Sequence, residues 1–237
     1  MKYEKYKSSL PYSYTLGITL TIELLKKHPE VVLDVYYHSS FDGDGKDIVD
    51  NICKRIGINP IYNDKIFNIL ASKENVYCIG VFKKFASPIE NDANHIVLVN
   101  PSNAGNLGTI IRTSCGFNLN NLVIIKPAVD IFDPKTIRAS MGAIFNINFS
   151  LFDNFDDYKK NNNHHHLYPF MLKAKNKLKD VKFETPFSLI FGNEATGLPD
   201  TFLKYDSVII PHAKTIDSLN LPIAVSIAIY SATSNNF

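Results

Sequence analysis

A chain of 237 residues exceeds the usual ~100–200 residues of a single domain, so two modest domains are expected. Hydrophobic residues make up 45% and charged residues 20%, a balance that buries a core and excludes a disordered chain. The net charge of +2 excludes a strongly basic nucleic-acid-binding domain, so any polyanion-binding surface must be local.

No apolar run approaches the ~20 residues needed to span a bilayer, and the start MKYEKYKSSLPYSY has no apolar stretch to serve as a signal peptide. A cytoplasmic protein without membrane contact is expected. Cys53, Cys78 and Cys115 are odd in number and far apart, which suits reduced, mostly buried thiols rather than a disulfide framework or a CxxC metal pair. Only Arg55, Arg112 and Arg138 are arginines among 25 basic residues. Each is informative, because a planar fork of donors is something lysine cannot supply.

In the N-terminal stretch Lys2, Lys5 and Lys7 alternate with Tyr3, Tyr6, Tyr12 and Tyr14, a pattern that suits either base stacking or a solvated terminus. Apolar positions at helical spacing predict a helix over 14–27, closed by His28 and Pro29. A strand at 31–37 follows. The loop SSFDGDGKD lacks the glutamate of a calcium loop and reads as a solvated turn before a helix at DIVDNICKRIGI. A short strand at 60–62, a helix at DKIFNILAS and a strand at VYCIGVFKKF complete a first unit, residues 1–85. Residues 86–94, ASPIENDAN with the preceding boundary at Phe85, read as a linker.

From residue 95 to 237 the pattern is strand HIVLVN, loop PSNAGNLG, helix TIIRTSCGF and strand NLVIIKP, with later strands at SLIFGN and SVIIP. Strands apolar throughout and separated by helices predict an α/β fold with a parallel sheet covered on both faces. The closing LPIAVSIAIYSATS is apolar nearly all round, as in a helix buried in a core or a subunit interface. The run NNNHHH, 161–166, reads as a loop. Its consecutive histidines point in different directions, so no metal site is expected.

Three segments carry candidate chemistry. Asn103, Gly105, Asn106 and Gly108 follow a strand and lead into a helix bearing Arg112, a place where backbone amides receive an anion or cofactor. A dinucleotide site is the alternative, but Asn103 stands where the first glycine belongs, and the next strand ends in Lys126 and Pro127 rather than an acid. The second segment, FGNEATGLP, has Gly192 and Gly197 for close backbone approach, Glu194 at its mouth, and Pro199 suited to begin a helix; a plain turn with a solvated glutamate is the other reading. The third, IIPHAKTIDSLNLP, places Ser218 and Asn220 around Leu219, either as site residues or as an ordinary helix cap. Ligands of open parallel sheets bind at the C-terminal strand edge, where all three fall.

NPSNAGNLGTIIRTSCGF, LIFGNEATGLP and IIPHAKTIDSLNLPIAVSIAIY resemble the three motifs of the SpoU (TrmH-like) RNA methyltransferases of the SPOUT superfamily, and IRASMGAIF resembles the stretch between the first two. Residues 1–85 resemble the small L30e-like RNA-binding domain that often precedes them. The resemblance implies a trefoil-knotted catalytic domain over 95–237, a homodimer, S-adenosylmethionine as cofactor and methylation of a ribose 2′-hydroxyl, in ribosomal RNA before transfer RNA. It implies a cofactor pocket of Gly192, Asn193, Glu194, Gly197, Ile210, Pro211, Leu219 and Asn220. It implies a reaction site lined by Asn103, Arg112, Glu194, Ser218 and Asn220, with Arg112 activating the hydroxyl and Asn103 and Glu194 orienting Arg112 and the ribose. The chain departs from the family pattern at Lys214, where a glycine is usual, and at Pro222, where a serine is frequent. A guanidinium is a poor base, which favours Arg112 as a stabiliser of the emerging alkoxide. The competing classes are a non-catalytic knotted RNA-binding protein and a nicotinamide-dependent oxidoreductase.

Overall fold

The computed structural model describes residues 2–71 and 75–234. In chain order the regular elements are β1 Tyr12–Tyr14, α1 Ile18–Lys27, β2 Val32–Tyr37, α2 Asp44–Ile56, β3 Ile61–Tyr62, α3 Asp64–Leu70 and β4 Cys78–Lys83. There follow β5 His95–Val99, α4 Ala104–Gly116, β6 Asn121–Ile125, α5 Pro134–Ala139, β7 Asn148–Phe152, α6 Phe155–Asn161 and β8 His166–Pro169. The chain closes with β9 Asn176–Lys177, β10 Phe187–Phe191, β11 Val208–Ile209 and α7 Leu221–Thr233. Among the described residues no helix is long and apolar enough to cross a membrane.

The contacts divide the chain into two units, Met1–Phe85 with Asp130–Asn146, and Ala86–Val129 with Ile147–Phe237. The excursion 130–146, which includes α5 and all of IRASMGAIF, lies in the first unit although the sequence gives no break there. Ser13 Oγ donates to the Phe132 carbonyl at 2.6 Å and Lys84 pairs with Asp130 at 2.9 Å, which ties the excursion down. Residues 86–94 lie in the second unit, where the Glu90 amide donates to Asn121 Oδ1 at 2.8 Å.

The first unit holds a four-stranded sheet in the order β1-β4-β2-β3. Here the expected helix at 14–27 starts later, at Ile18. Tyr14 is drawn into β1 against Val81, and the amides of Thr15 and Gly17 donate to Gly80 and Cys78 carbonyls, so sheet pairing overrides helix spacing. The N-terminal tyrosines are not a stacking platform: Tyr3 and Tyr14 are buried beside Tyr36, Ile66, Phe67 and Ile79 in the core, and the Tyr6 hydroxyl donates to Asp130 at 2.5 Å. Cys53 and Cys78 are buried, and desolvation pushes their thiols up to about 11 and about 12.

The second unit holds the predicted parallel sheet, five strands in the order β7-β6-β5-β10-β8, all parallel. β5, β6 and β10 are buried at every residue, as strands covered on both faces must be. Below the N-terminal ends of β5 and β10 lies a buried polar cluster. His95 Nδ1 meets the Tyr158 hydroxyl at 2.8 Å, Tyr158 meets Ser188 Oγ at 2.6 Å, and Ser188 meets His165 Nδ1 at 2.9 Å. His165 is therefore a buried residue of the loop between α6 and β8, which is shorter than expected because α6 runs as far as Asn161 and β8 starts at His166.

α7 is buried on one side only. Pro222, Val225, Ala228, Ile229 and Thr233 face inward, while Ile223, Ile227 and Tyr230 are 51%, 38% and 61% exposed.

Candidate active site

The C-terminal strand edge of the parallel sheet carries the site. Past β5, Asn103 ends the strand-following turn and caps α4, its Oδ1 accepting from the Asn106 amide at 3.0 Å. The expected glycine loop is thus mostly helix: Gly105 and Gly108 lie inside α4. The Asn103 cap starts the helix at Ala104, directly after the turn 100–103 that follows β5.

Past β10, Asn193 shapes the second loop. Its Oδ1 accepts from the amides of Ala195 and Thr196 at 2.9 and 3.3 Å, and its Nδ2 donates to the Asn100 carbonyl at 2.8 Å. Gly197 adopts φ +66°, in the left-handed region, and its amide closes the loop on the Asn193 carbonyl at 2.9 Å. Gly192 faces that closure so tightly that a Cβ there would lie 2.2 Å from the Gly197 carbonyl carbon.

Glu194 joins the two loops. Oε2 accepts from the Ser102 hydroxyl at 2.8 Å and the Ser102 amide at 3.2 Å, while Oε1 accepts from the Asn103 amide and Asn106 Nδ2, both at 3.3 Å. Burial alone would raise this carboxyl, but hydrogen bonds from its own backbone, Ser102 and Asn106 outweigh it and hold the group below the usual carboxylate range.

The second loop, β11 and the third loop enclose a cavity of about 340 Å³. Six of the eight expected cofactor residues line it: Gly192, Asn193, Glu194, Gly197, Ile210 and Leu219. Pro211 and Asn220 do not; Asn220 instead precedes α7 without a side-chain cap bond. Of the expected reaction residues, Glu194 and Ser218 line the cavity, and Asn103, Arg112 and Asn220 stand outside it. Arg112 is exposed on α4, and among the described residues no hydrogen bond or ion pair joins it to Asn103 or Glu194. Glu194 orients the start of α4, not the guanidinium. Lys214 is exposed outside the cavity lining, and Pro222 fits the first turn of α7.

Sequence reasoning missed a fourth wall, Phe170 to Lys173, which follows β8. It contains no glycine, and its only signal is its place after an apolar strand. Phe170 stacks on Phe191 with centroids 4.6 Å apart and planes 13° apart. Apolar walls from Leu198, Ile210 and Leu219, with a backbone-rich loop kept close by two glycines, suit a flat heterocycle carrying a polar chain.

A solved structure, AdoMet-bound rRNA methyltransferase from Sinorhizobium meliloti, matches the fold with a TM-score of 0.82 over 96% of this chain and 88% of that one, at 24% identity. A Listeria monocytogenes protein provisionally described as a tRNA (cytidine(34)-2′-O)-methyltransferase is 32% identical over 146 residues, 59% of this chain and 86% of that protein. The 23S rRNA (guanosine(2553)-2′-O)-methyltransferase RlmP of Bacillus subtilis is 30% identical over 131 residues, 53% of this chain and 52% of that protein. The SpoU rRNA Methylase family model matches residues 93–230, a span that contains both loops tied by Glu194: the chain belongs to that family.

Proposed function

We propose that this chain is a cytoplasmic homodimeric enzyme that transfers the methyl group of S-adenosylmethionine to a ribose 2′-hydroxyl of RNA, with ribosomal RNA as the first substrate and transfer RNA the second. The observation that carries this reading is the convergence of loops 101–106, 192–198 and 210–219 on one strand edge, with Glu194 tying the first to the second and the cavity between the second and third. Family membership and relatives named as rRNA and tRNA 2′-O-methyltransferases support it. In this reading residues 95–237 form a trefoil-knotted catalytic domain, 86–94 the connection to it, and 1–85 an L30e-like RNA-binding domain.

The cofactor, when bound, supplies an activated methyl group on a sulfonium. Gly192, Asn193, Glu194, Gly197, Ile210 and Leu219 hold it in the cavity, with Pro211 and Asn220 flanking, and the fit rests on the flat apolar walls and the close-approach glycines. The transfer has no difficult leaving group, so the chain's task is alignment and charge. Ser218, at the cavity wall, and Asn220 position the ribose; Asn103 presents the start of α4 to it. Arg112 stabilises negative charge on the hydroxyl oxygen as its proton departs to solvent, and grips the neighbouring phosphate. Its exposed, unpaired side chain leaves all its donors for RNA among the described residues.

The homodimer contact is assigned to the outward stripe of α7, where Ile223, Ile227 and Tyr230 recur at helical spacing. The test is to map 2′-O-methyl sites in RNA from cells with and without the protein, together with radiolabelled methyl incorporation by the purified chain. A site that vanishes with the protein and is restored by wild type but not by Arg112→Ala supports the reading; no incorporation into any RNA despite cofactor binding leaves the non-catalytic alternative.

A further inference from the structure

Between β8 and β10 the chain reads FMLKAKNKLKDVKF, with lysines at 173, 175, 177, 179 and 182 and one acid, Asp180, in that run of lysines. The segment starts at the cavity, whose wall includes Leu172 and Lys173. Lys173 is neutralised there by Asp200, at 2.9 and 2.7 Å to its two carboxylate oxygens. Lys175, Lys177, Lys179 and Lys182 are exposed, and none forms an ion pair among the described residues. Counting Asp180 against these four leaves a local excess of three positive charges in a chain whose total is +2.

The backbone that carries them is pinned. Lys177 lies in β9, which pairs in parallel with β11, and Val208 and Ile209 of β11 are themselves part of the cavity wall. Asn176 Nδ2 donates to the Ser207 carbonyl at 3.1 Å and Leu178 is buried. Lysines also discourage edge-to-edge pairing of sheets, but that role serves a strand of two residues and leaves Lys175, Lys179 and Lys182 unaccounted for. A row of unpaired lysines on a fixed backbone is the footprint of a polyanion lying along it.

We infer that Lys175, Lys177, Lys179 and Lys182 form a phosphate track that carries the RNA backbone to the mouth of the cavity. The track fixes where the strand runs and carries no base preference. It rests on the RNA methyltransferase reading and adds the path of the substrate to it.

The test uses the full chain and fluorescein-labelled oligouridine, titrated by anisotropy across a salt series. K175Q/K177Q/K179Q weakens binding about tenfold or more near ~0.1 M salt and makes the slope of log K against log salt shallower by about 2, since each single-strand phosphate contact contributes roughly 0.7. K175R/K177R/K179R keeps both affinity and slope. Calorimetry with S-adenosylhomocysteine gives the same affinity for wild type and both variants. If the glutamine variant loses that affinity through misfolding, the single Lys→Gln variants decide, each lowering the slope by about 0.7. Unchanged affinity and slope in the glutamine variants, or equal loss in the arginine variant, overturns the track while wild-type methyl incorporation keeps the enzymatic reading intact. A wild-type chain that binds no RNA overturns both.

Discussion

Glu194 and Ser102 stand 92 residues apart in sequence, and the Ser102 hydroxyl and amide both donate to the same Glu194 oxygen, at 2.8 and 3.2 Å. With Asn103 and Asn106 on the other oxygen, one carboxylate holds the start of α4 against the second loop. Glu194→Ala leaves these donors without their acceptor, and a stability loss of about 1–3 kcal/mol is expected in urea unfolding. Methyl transfer in single turnover falls by about 100-fold, the scale at which small misplacements of a reacting group act. Because the folded carboxyl is held below its ordinary value, its contribution is complete above the unfolded carboxylate range and is lost only as pH falls through the depressed value. The tie therefore persists at pH ~5. Wild-type turnover in the alanine variant removes Glu194 from the site.

Arg112 is exposed, lies outside the cavity lining, and has no ion pair among the described residues. Arg112→Ala is expected to abolish methyl incorporation while S-adenosylhomocysteine affinity stays within about twofold, because the lost donors serve the substrate and not the cofactor. Arg112→Lys fails as well if the planar fork grips hydroxyl and phosphate together. Near-normal turnover in either variant excludes the assigned role.

Gly192 and Gly197 share a loop but fail for different reasons when replaced. A Cβ at Gly192 would lie 2.2 to 2.4 Å from backbone atoms of Gly197 and Leu198, so Gly192→Ala must open the loop. Cofactor affinity is expected to fall by more than tenfold. At Gly197 a Cβ meets nothing within 4 Å, and only its φ of +66° resists substitution. Gly197→Ala therefore costs about 1–2 kcal/mol of backbone strain and leaves measurable cofactor binding. Calorimetry on the two variants separates these effects, and equal affinities contradict the account.

Much of the second unit was legible because β5, β6 and β10 are apolar at all but one residue each and its three candidate segments fall after strands. Local patterns did not reveal what long-range pairing decides. Tyr14 reads as helical until β4 claims it, and Gly105 and Gly108 read as loop until Asn103 caps α4 above them. The wall at Phe170 to Lys173 has no distinctive residue and becomes part of the site only through the neighbours of β8. The burial of Tyr3 likewise depends on Tyr36, Ile66 and Ile79, which no spacing near the N-terminus discloses.

The outward stripe of α7 predicts its own test. Ile223, Ile227 and Tyr230 form an exposed apolar stripe on one helix, and such a stripe packed against its own copy suits a two-fold dimer. Ile227→Asp is expected to shift the chain from dimer to monomer in sedimentation velocity. A wild-type chain that sediments as a monomer, or an aspartate variant that remains a dimer, removes α7 from the assembly.

His95 and His165 lie against each other in the interior, with ring centroids 4.4 Å apart. Each presents Nε2 to a backbone carbonyl, Glu90 at 2.9 Å and Asn91 at 2.7 Å, which fixes the proton on that nitrogen in the neutral ring. Nδ1 then meets Tyr158 on one side and Ser188 on the other. Burial is the main force that lowers both imidazoles, taking His95 from 6.5 to about 4, and the neighbouring His164 adds to it while Asp92 opposes it at His165. Between those pH values the unfolded chain binds more protons than the folded one, so stability falls as pH falls. The His95 contribution is fully present above pH ~6.5 and lost progressively down to about 4, amounting to about 3 kcal/mol, with His165 acting in the same direction. Urea unfolding from pH 7 to 4 is expected to show this decline, and His95→Gln, which cannot take up a proton, is expected to flatten part of it. A wild-type stability that stays level across the window would show that the pair is not held neutral by the fold.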